Sequence, residues 1–409
     1  MLRFYTSNAR WLVGGFLLAM FSGFGQTFFI SMWGDEIRAA FSLSHGGFGL
    51  VYMLATLASA LSLPFVGRLV DVTSVSTSAL VVMGCLIAAC VLMAVSNTLL
   101  ALLLAIYLLR LFGQGMMTQT SMTAMGRWYA ANRGKAVSFA TMGHQASEAI
   151  FPTVFALLAL SYGWRGAWWI AAVCILFFAL PVIFALMRVE RQPRGTLSED
   201  EAVSGVEVRQ WTRAELLRDP LFWLVCVGVL APPFIGTSIF FHQDYLIALN
   251  GWNPQLYYNA FILMAVTTVI CALATGFAVD RWSAVQMLPV FMVPLAIGCF
   301  VLGALSGPST IFIFMVLLGM SYGVTSTLFG ALWPEVWGTA NLGAIRSIVV
   351  ALMVFLTAAG PGITGVLIDF GVPFPRQLLY MGGYCAMAFV VMIVASHRLQ
   401  TRAAMLAAG

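Results

Sequence analysis

Twelve stretches of this chain are apolar for long enough to cross a bilayer, and mostly short polar loops separate them. They fall at roughly 11–33, 46–66, 77–96, 98–124, 137–161 and 165–187, then at 220–247, 257–279, 286–306, 309–332, 343–368 and 376–396. About 20 predominantly apolar residues suffice for one helical crossing, so the pattern predicts an all-α membrane protein of twelve spans. The first run follows Arg3 and Arg10 as a secretory signal would, but it far exceeds the ~7–15 residues of a signal core and is expected to remain as span one.

The loops carry the polarity that orients the chain. With the N-terminus inside, inside segments hold Arg3, Arg10, Arg68, Arg127, Arg133, Lys135, Arg188, Arg191, Arg194, Arg209, Arg213, Arg218, Arg281, Arg398 and Arg402, whereas outside loops hold only Arg38, Arg165 and Arg376. Basic residues concentrate on the cytoplasmic side of short loops, so both termini are expected in the cytoplasm, with the chain in a bacterial inner membrane. The longest polar stretch, residues 188–219, divides the runs six and six. It predicts an N-terminal bundle over 1–187, a cytoplasmic linker over 188–219 and a C-terminal bundle over 220–409. Within the linker, Thr212 and Glu215 have capping-box spacing ahead of Pro220, which predicts a short surface helix leading into span seven.

Composition agrees with the pattern: 61% of the 409 residues are hydrophobic and 9% charged, against ~45–50% apolar for soluble domains. The seven cysteines lie inside apolar runs without metal-ligand spacing and read as packing residues. No phosphate loop, metal cluster or nucleophile–base arrangement stands out, so neither an enzyme nor an ATP-driven pump is expected, and no metal, cofactor or nucleic acid is implied.

The chain also repeats. Gly67-Arg-Leu-Val-Asp71 after span two recurs as Gly276-Phe-Ala-Val-Asp280 after span eight, and Trp128-Tyr-Ala-Ala-Asn132-Arg-Gly134 recurs as Trp337-Gly-Thr-Ala-Asn341-Leu-Gly343, both at an offset of 209 positions. Two motifs in one register across six spans predict two similar six-helix halves.

On these residues the chain resembles the major facilitator superfamily over essentially its whole length. The resemblance implies a secondary transporter working by alternating access, with substrate held between the halves. Gly67-Arg-Leu-Val-Asp71 looks like the family's signature between helices two and three, and Gly276-Phe-Ala-Val-Asp280-Arg281 like its second copy. Gly67 and Gly276 would then make tight turns. Asp71 and Asp280, favoured beside helix N-termini, would latch a cytoplasmic gate together with Arg281. The first copy departs from the pattern at Val72, Ser74 and Val75, which implies a weaker latch. Gly23-Phe-Gly-Gln26-Thr27 and Arg110-Leu-Phe-Gly-Gln-Gly115 look more like the monocarboxylate and oxalate/formate branches. Span five, Ser147-Glu-Ala-Ile-Phe-Pro152-Thr-Val, lacks the glycine- and proline-rich signature of drug exporters.

Few charges fall within the spans, and each costs at least ~2.5–3.5 kcal/mol at mid-bilayer. Arg110 lies near the middle of span four, and Glu148 at a similar depth in span five. His144 and Glu148 share a helix face, as do Arg110 and Gln114, so the two helices could set Arg110 against Glu148 and Gln114 against His144. The repeat places Gly319, Gly323, Met353 and Thr357 at the corresponding positions, so this polar cluster belongs to one half. Two readings follow. Arg110 is a substrate-carboxylate anchor with Glu148 and His144 as proton-coupling groups, or Arg110 and Glu148 form a permanent pair that fixes helix four to helix five.

Further substrate-binding candidates are Gln26 and Tyr52 in the first half and His242, Tyr322 and Ser326 in the second. His242 and Asp244 also read as a solvated rim. Pro232-Pro233 and Gly236 should break span seven where a cavity could use the freed backbone. The expected activity is proton-coupled transport of a small organic anion, monocarboxylate-like, by a monomer in the lipid bilayer. Export or import of another metabolite or drug is the alternative, and a non-transporting sensor a more distant one.

Overall fold

The computed structural model describes residues 2–129, 133–189, 191, 210–338 and 341–408. Most of the linker, including its acidic residues Glu199, Asp200 and Glu201, lies outside these residues, as do Asn132 and the Asp71 side chain. Among the described residues the secondary structure is helical, and ten helical runs are long and apolar enough to cross a membrane. One of them, Gly134–Met187, holds 54 residues and turns at Gly163, where φ is +66°. It is therefore two spans. A further pair, Ala9–Gly25 and Thr27–Phe41, bends by 44° at Gln26 and forms a single broken span, which brings the number to twelve.

We label the spans α1 (Ala9–Gly25 with Thr27–Phe41), α2 (His45–Val66), α3 (Val75–Val95), α4 (Leu99–Trp128), α5 (134–162) and α6 (164–187). The second set is α7 (Pro220–Phe241), α8 (Pro254–Trp282), α9 (Ala284–Ala304), α10 (Ser309–Trp337), α11 (Leu342–Asp369) and α12 (Phe374–Ala408). The chain falls into two compact units, residues 1–203 and 204–409.

In the first unit α1 packs on α5, α4 and α6, and α3 on α6 and α4. Glycine makes the closest of these contacts possible. A Cβ on Gly143 would lie 2.1 Å from the Phe16 carbonyl oxygen, and one on Gly25 2.2 Å from that of Leu109. The middle of α1 is held by stacked and edge-on rings: the centroid of Phe24 lies 4.5 Å from that of Phe151, and that of Phe29 5.1 Å from that of Trp168. Arg165 donates to the carbonyls of Ala94 and Ser96, closing the C-terminus of α3 with a cation as its dipole favours.

The second unit packs α8 on α10, α9 on α10 and α12, and α7 on α11 and α12. Thr212 and Glu215 form the expected capping box of a short helix, Arg213–Arg218. Asp219 then caps α7 through the Leu221 amide and accepts from Trp337 Nε1 and Arg402 Nη1, at 2.9 and 2.7 Å. The Arg402 guanidinium also stacks over Trp211. The first unit has a related clamp, in which Arg191 stacks over Tyr129 and donates to the Trp128 carbonyl. Trp128 and Trp337 are repeat partners, so the sequence repeat reappears as a pair of arginine clamps on the ends of α4 and α10.

Candidate functional site

The break in α1 creates the site in the first unit. Gln26 is extended (φ −83°, ψ 155°), so the Phe29 amide bonds to the Gln26 carbonyl instead of reaching Gly25 as a regular helix would. That leaves the Gly25 carbonyl to an outside donor. Opposite it, α4 widens to π geometry over Leu109–Met117, a distortion that recurs at functional sites. Gly113 meets Gly25 there backbone to backbone: a Cβ on Gly113 would lie 2.6 Å from the Gly25 Cα. The two glycines admit the close approach that brings Arg110 to the broken turn.

Arg110 is buried, at 1% exposure. Its Nη1 donates to the Gly25 carbonyl at 3.1 Å and, more weakly, to Thr27 Oγ1 at 3.4 Å. Thr27 and the Tyr52 hydroxyl are 2.6 Å apart, and the guanidinium lies over the Tyr52 ring at 5.4 Å from its centroid. The Nε and Nη2 atoms have no protein acceptor. These two nitrogens form one edge of the planar group, with parallel N–H bonds spaced to meet both oxygens of a carboxylate. A buried cation with three of its five N–H donors unused is the kind of arrangement a ligand completes.

Glu148 does not complete it. No ion pair joins Arg110 to Glu148; the carboxylate is buried at 7% exposure and its Oε1 lies 3.4 Å from Nε2 of His144 on the same helix. The reason is α1. Arg110 reaches it at Gly25 and Thr27, whereas α5 meets it at Gly23, where a Cβ would lie 2.7 Å from that of Ser147. The helix-four to helix-five pair and the expected Gln114–His144 contact are therefore not formed. Gln26 and Gln114, both half-buried, make no side-chain hydrogen bond.

The second unit explains the charge asymmetry. At Gly319, the repeat partner of Arg110, a Cβ would lie 2.6 Å from the Met264 carbonyl oxygen, and at Gly323 2.5 Å from that of Thr268. Here α10 closes on the α8 backbone and leaves no volume for a side chain. Toward α7 and α11 the unit instead opens a cavity of about 500 Å³, with Tyr322, Ser326, Thr325, Trp333 and Arg346 in its wall. Gly236 makes room for Tyr322, whose hydroxyl lies 1.8 Å from where a Cβ would be. His242 is elsewhere: it is 2% exposed, packs 4.9 Å from the Phe374 ring and is 2.9 Å from Thr364 Oγ1. It is a packed brace between α7 and α11, not a solvated rim. Asp244 accepts from the Tyr258 hydroxyl.

Residues 15–361 match the Major Facilitator Superfamily. The chain belongs to this superfamily. It is accordingly a multi-pass membrane protein. Among curated relatives, the uncharacterized MFS-type transporter YbcL of Bacillus subtilis (strain 168) is 22% identical over 264 residues; the match spans 63% of this chain and 63% of YbcL. Among solved structures, a bacterial homolog of the human lysosomal transporter Spinster, inward-facing and unoccupied, is 14% identical with a TM-score of 0.66, covering 98% of this chain and 96% of that one. The nucleoside transporter NupG is 12% identical with a TM-score of 0.69, covering 95% and 98%. At such identities the structures share the fold.

Within this superfamily fold the loop motifs differ between the units. Gly67 has ordinary helical angles (φ −60°), and its lack of a side chain admits Gln119 of α4 within 2.8 Å of a Cβ position. Gly276 lies inside α8 with nothing within 4 Å of a Cβ, so it makes no turn; the chain turns at Ser283, where φ is +73°. Asp280 and Arg281 are exposed on the last turn of α8, and Arg281 lies 5.4 Å over the Trp282 ring. Two residues unmarked in the sequence hold these loops: Arg127 donates to the Val70 carbonyl, and Glu335 accepts from the Ala284 and Val285 amides. Positions 126 and 335 are repeat partners, so the offset pointed at these helix ends without naming the side chain.

Proposed function

We propose that this transporter carries a small organic anion with a carboxylate group across the bacterial inner membrane, coupled to protons, both termini lying in the cytoplasm. Each unit is one six-helix half, with residues 188–219 as the linker between them. The observation that carries the reading is the unused Nε–Nη2 edge of Arg110. Nη1 is spent on the broken turn of α1, which fixes the plane of the guanidinium, and the remaining edge fits a carboxylate bidentately. Tyr52 and Thr27 position that cation, while Gln26 and Gln114 supply amides without partners beside it. Glu148 and His144 take the proton, since a buried carboxyl beside an imidazole can exchange its charge when the anion arrives or leaves. Asp71, Asp280 and Arg281, with Gly67, form the cytoplasmic gate, while Gly276, inside α8, is withdrawn from it, and the chain works as a monomer. Tyr322 and Ser326 line the path in the second half; His242, bonded to Thr364, supports α7 and is withdrawn from the substrate set.

A second reading has one observation in its favour. The cavity in the second unit is walled by Phe329 and Trp333 beside Tyr322 and Ser326, a surface on which a planar base could stack, and NupG is a nucleoside transporter. Proteoliposome uptake of labelled carboxylates and nucleosides under an imposed pH gradient separates the two. Carboxylate flux lost in Arg110→Gln supports the first reading; nucleoside flux that ignores this substitution replaces it.

A further inference from the structure

Between α7, α11 and α12 lies a second cavity, of about 320 Å³, that shares no lining residue with the cavity described above. Its wall is apolar for most of its length, from Leu230, Leu356 and Tyr384 to Ile363 and Leu367, and it contains no charged residue. Tyr380, Ile363, Tyr384 and Leu367 are all substantially exposed, at 66, 48, 39 and 36%. On spans of this hydropathy such exposure faces lipid chains. The cavity is thus filled from the bilayer.

One end is polar. Gln377, 2% exposed and three residues into α12, donates both amide hydrogens, to the Thr364 and Val372 carbonyls at 3.1 and 2.9 Å. Both partners only accept, which fixes the amide orientation and leaves Oε1 buried with no donor. Thr364 Oγ1 donates to the Gly360 carbonyl and so accepts from His242 Nε2, completing a brace from α7 through α11 to α12. A long apolar slot that ends in one orphan acceptor selects an amphiphile whose head carries a hydrogen-bond donor. Asp369, two residues beyond Leu367, and Arg376, beside Gln377, put one charge of each sign at that end.

We propose that this groove is a binding site for one phospholipid with a zwitterionic, N–H-bearing headgroup of the phosphatidylethanolamine type. One acyl chain occupies the slot between α7, α11 and α12, and the ammonium donates to Gln377 Oε1. The occupant supports the His242–Thr364–Gln377 brace.

Native mass spectrometry of the whole protein tests this directly. Protein is released from mixed bilayers of phosphatidylethanolamine and phosphatidylcholine with identical chains, lipids that differ only in whether the headgroup nitrogen bears hydrogen. The expected result is one retained lipid with about a tenfold preference for phosphatidylethanolamine, as one charge-assisted hydrogen bond supplies. The preference falls toward one in Gln377→Leu. Leu367→Trp, at a position exposed enough to accept a larger side chain, fills the slot and lowers retention of both lipids. Equal retention of the two lipids by the wild type, or retention unaffected by Leu367→Trp, overturns the proposal. In a second bilayer that mixes phosphatidylethanolamine with phosphatidylglycerol, preferential retention of phosphatidylglycerol overturns the headgroup assignment.

Discussion

Adding one methyl group at Gly25 tests the contact from which the Arg110 site is built. In Gly25→Ala the new Cβ would lie 2.2 Å from the Leu109 carbonyl oxygen, 2.7 Å from the Gln114 amide nitrogen and 2.7 Å from the Gly113 Cα. All three are backbone atoms of α4, so no side chain can swing aside. Restoring an ordinary contact of about 3.4 Å requires α1 and α4 to part by roughly an ångström, and overpacking of this kind costs about 1–3 kcal/mol. The same displacement lengthens the 3.1 Å bond from Arg110 to Gly25 beyond hydrogen-bonding range. The control is Gly276→Ala, where nothing lies within 4 Å and the backbone is helical, so relief of glycine's backbone entropy should stabilise by about 0.4–1 kcal/mol. Thermal unfolding of both variants in detergent, followed by intrinsic tryptophan fluorescence, should move the midpoint down for the first and slightly up for the second. At about 2–4 °C per kcal/mol for units of this size, the difference is readily measured. Equal midpoints would mean that the Gly25–Gly113 contact does not hold the helices, and the argument for Arg110's placement would go with it.

Glu148→Gln should abolish uptake driven by a pH gradient while sparing substrate counterflow, because it removes the exchangeable proton and leaves Arg110 in place; loss of both modes would remove its coupling role. Asp219→Ala should lower the unfolding midpoint more than Arg402→Ala, since it frees the Leu221 amide, Trp337 Nε1 and the arginine together; the reverse order in a thermal melt would contradict the clamp. Glu335→Ala should cost about 1 kcal/mol, the value of a lost N-cap, and increase hydrogen exchange at the Ala284 and Val285 amides; unchanged exchange there would show that the cap is idle.

The spans and their repeat were legible in the sequence because both follow from periodic, cumulative signals: run length, loop charge and one offset shared by two motifs. The place of Arg110 toward the middle of α4 was legible for the same reason. Its partner was not, since adjacent numbering of α4 and α5 suggested direct contact, whereas α1 meets each of them at a separate glycine, Gly25 or Gly23. A helix break such as the one at Gln26 depends on tertiary contacts across Gly113, which no local propensity encodes. His242 near a span end read as solvated because sequence gives depth but not azimuth; Thr364 and Phe374, more than a hundred residues away, settle where its ring points. Gly276 shows the opposite error, a motif match carried over from a turn to a position inside a continuous helix.

The central claim is that Arg110 offers a two-pronged edge to a carboxylate, and the most direct measurement compares ligand-induced thermal shifts of wild type, Arg110→Lys and Arg110→Gln across a panel of carboxylates and their amides. Lysine keeps the charge but not the edge. The account predicts stabilisation of wild type by at least one carboxylate and not by its amide, with the shift largely lost in both variants. Equal stabilisation of wild type and Arg110→Lys, or of acid and amide, would contradict it.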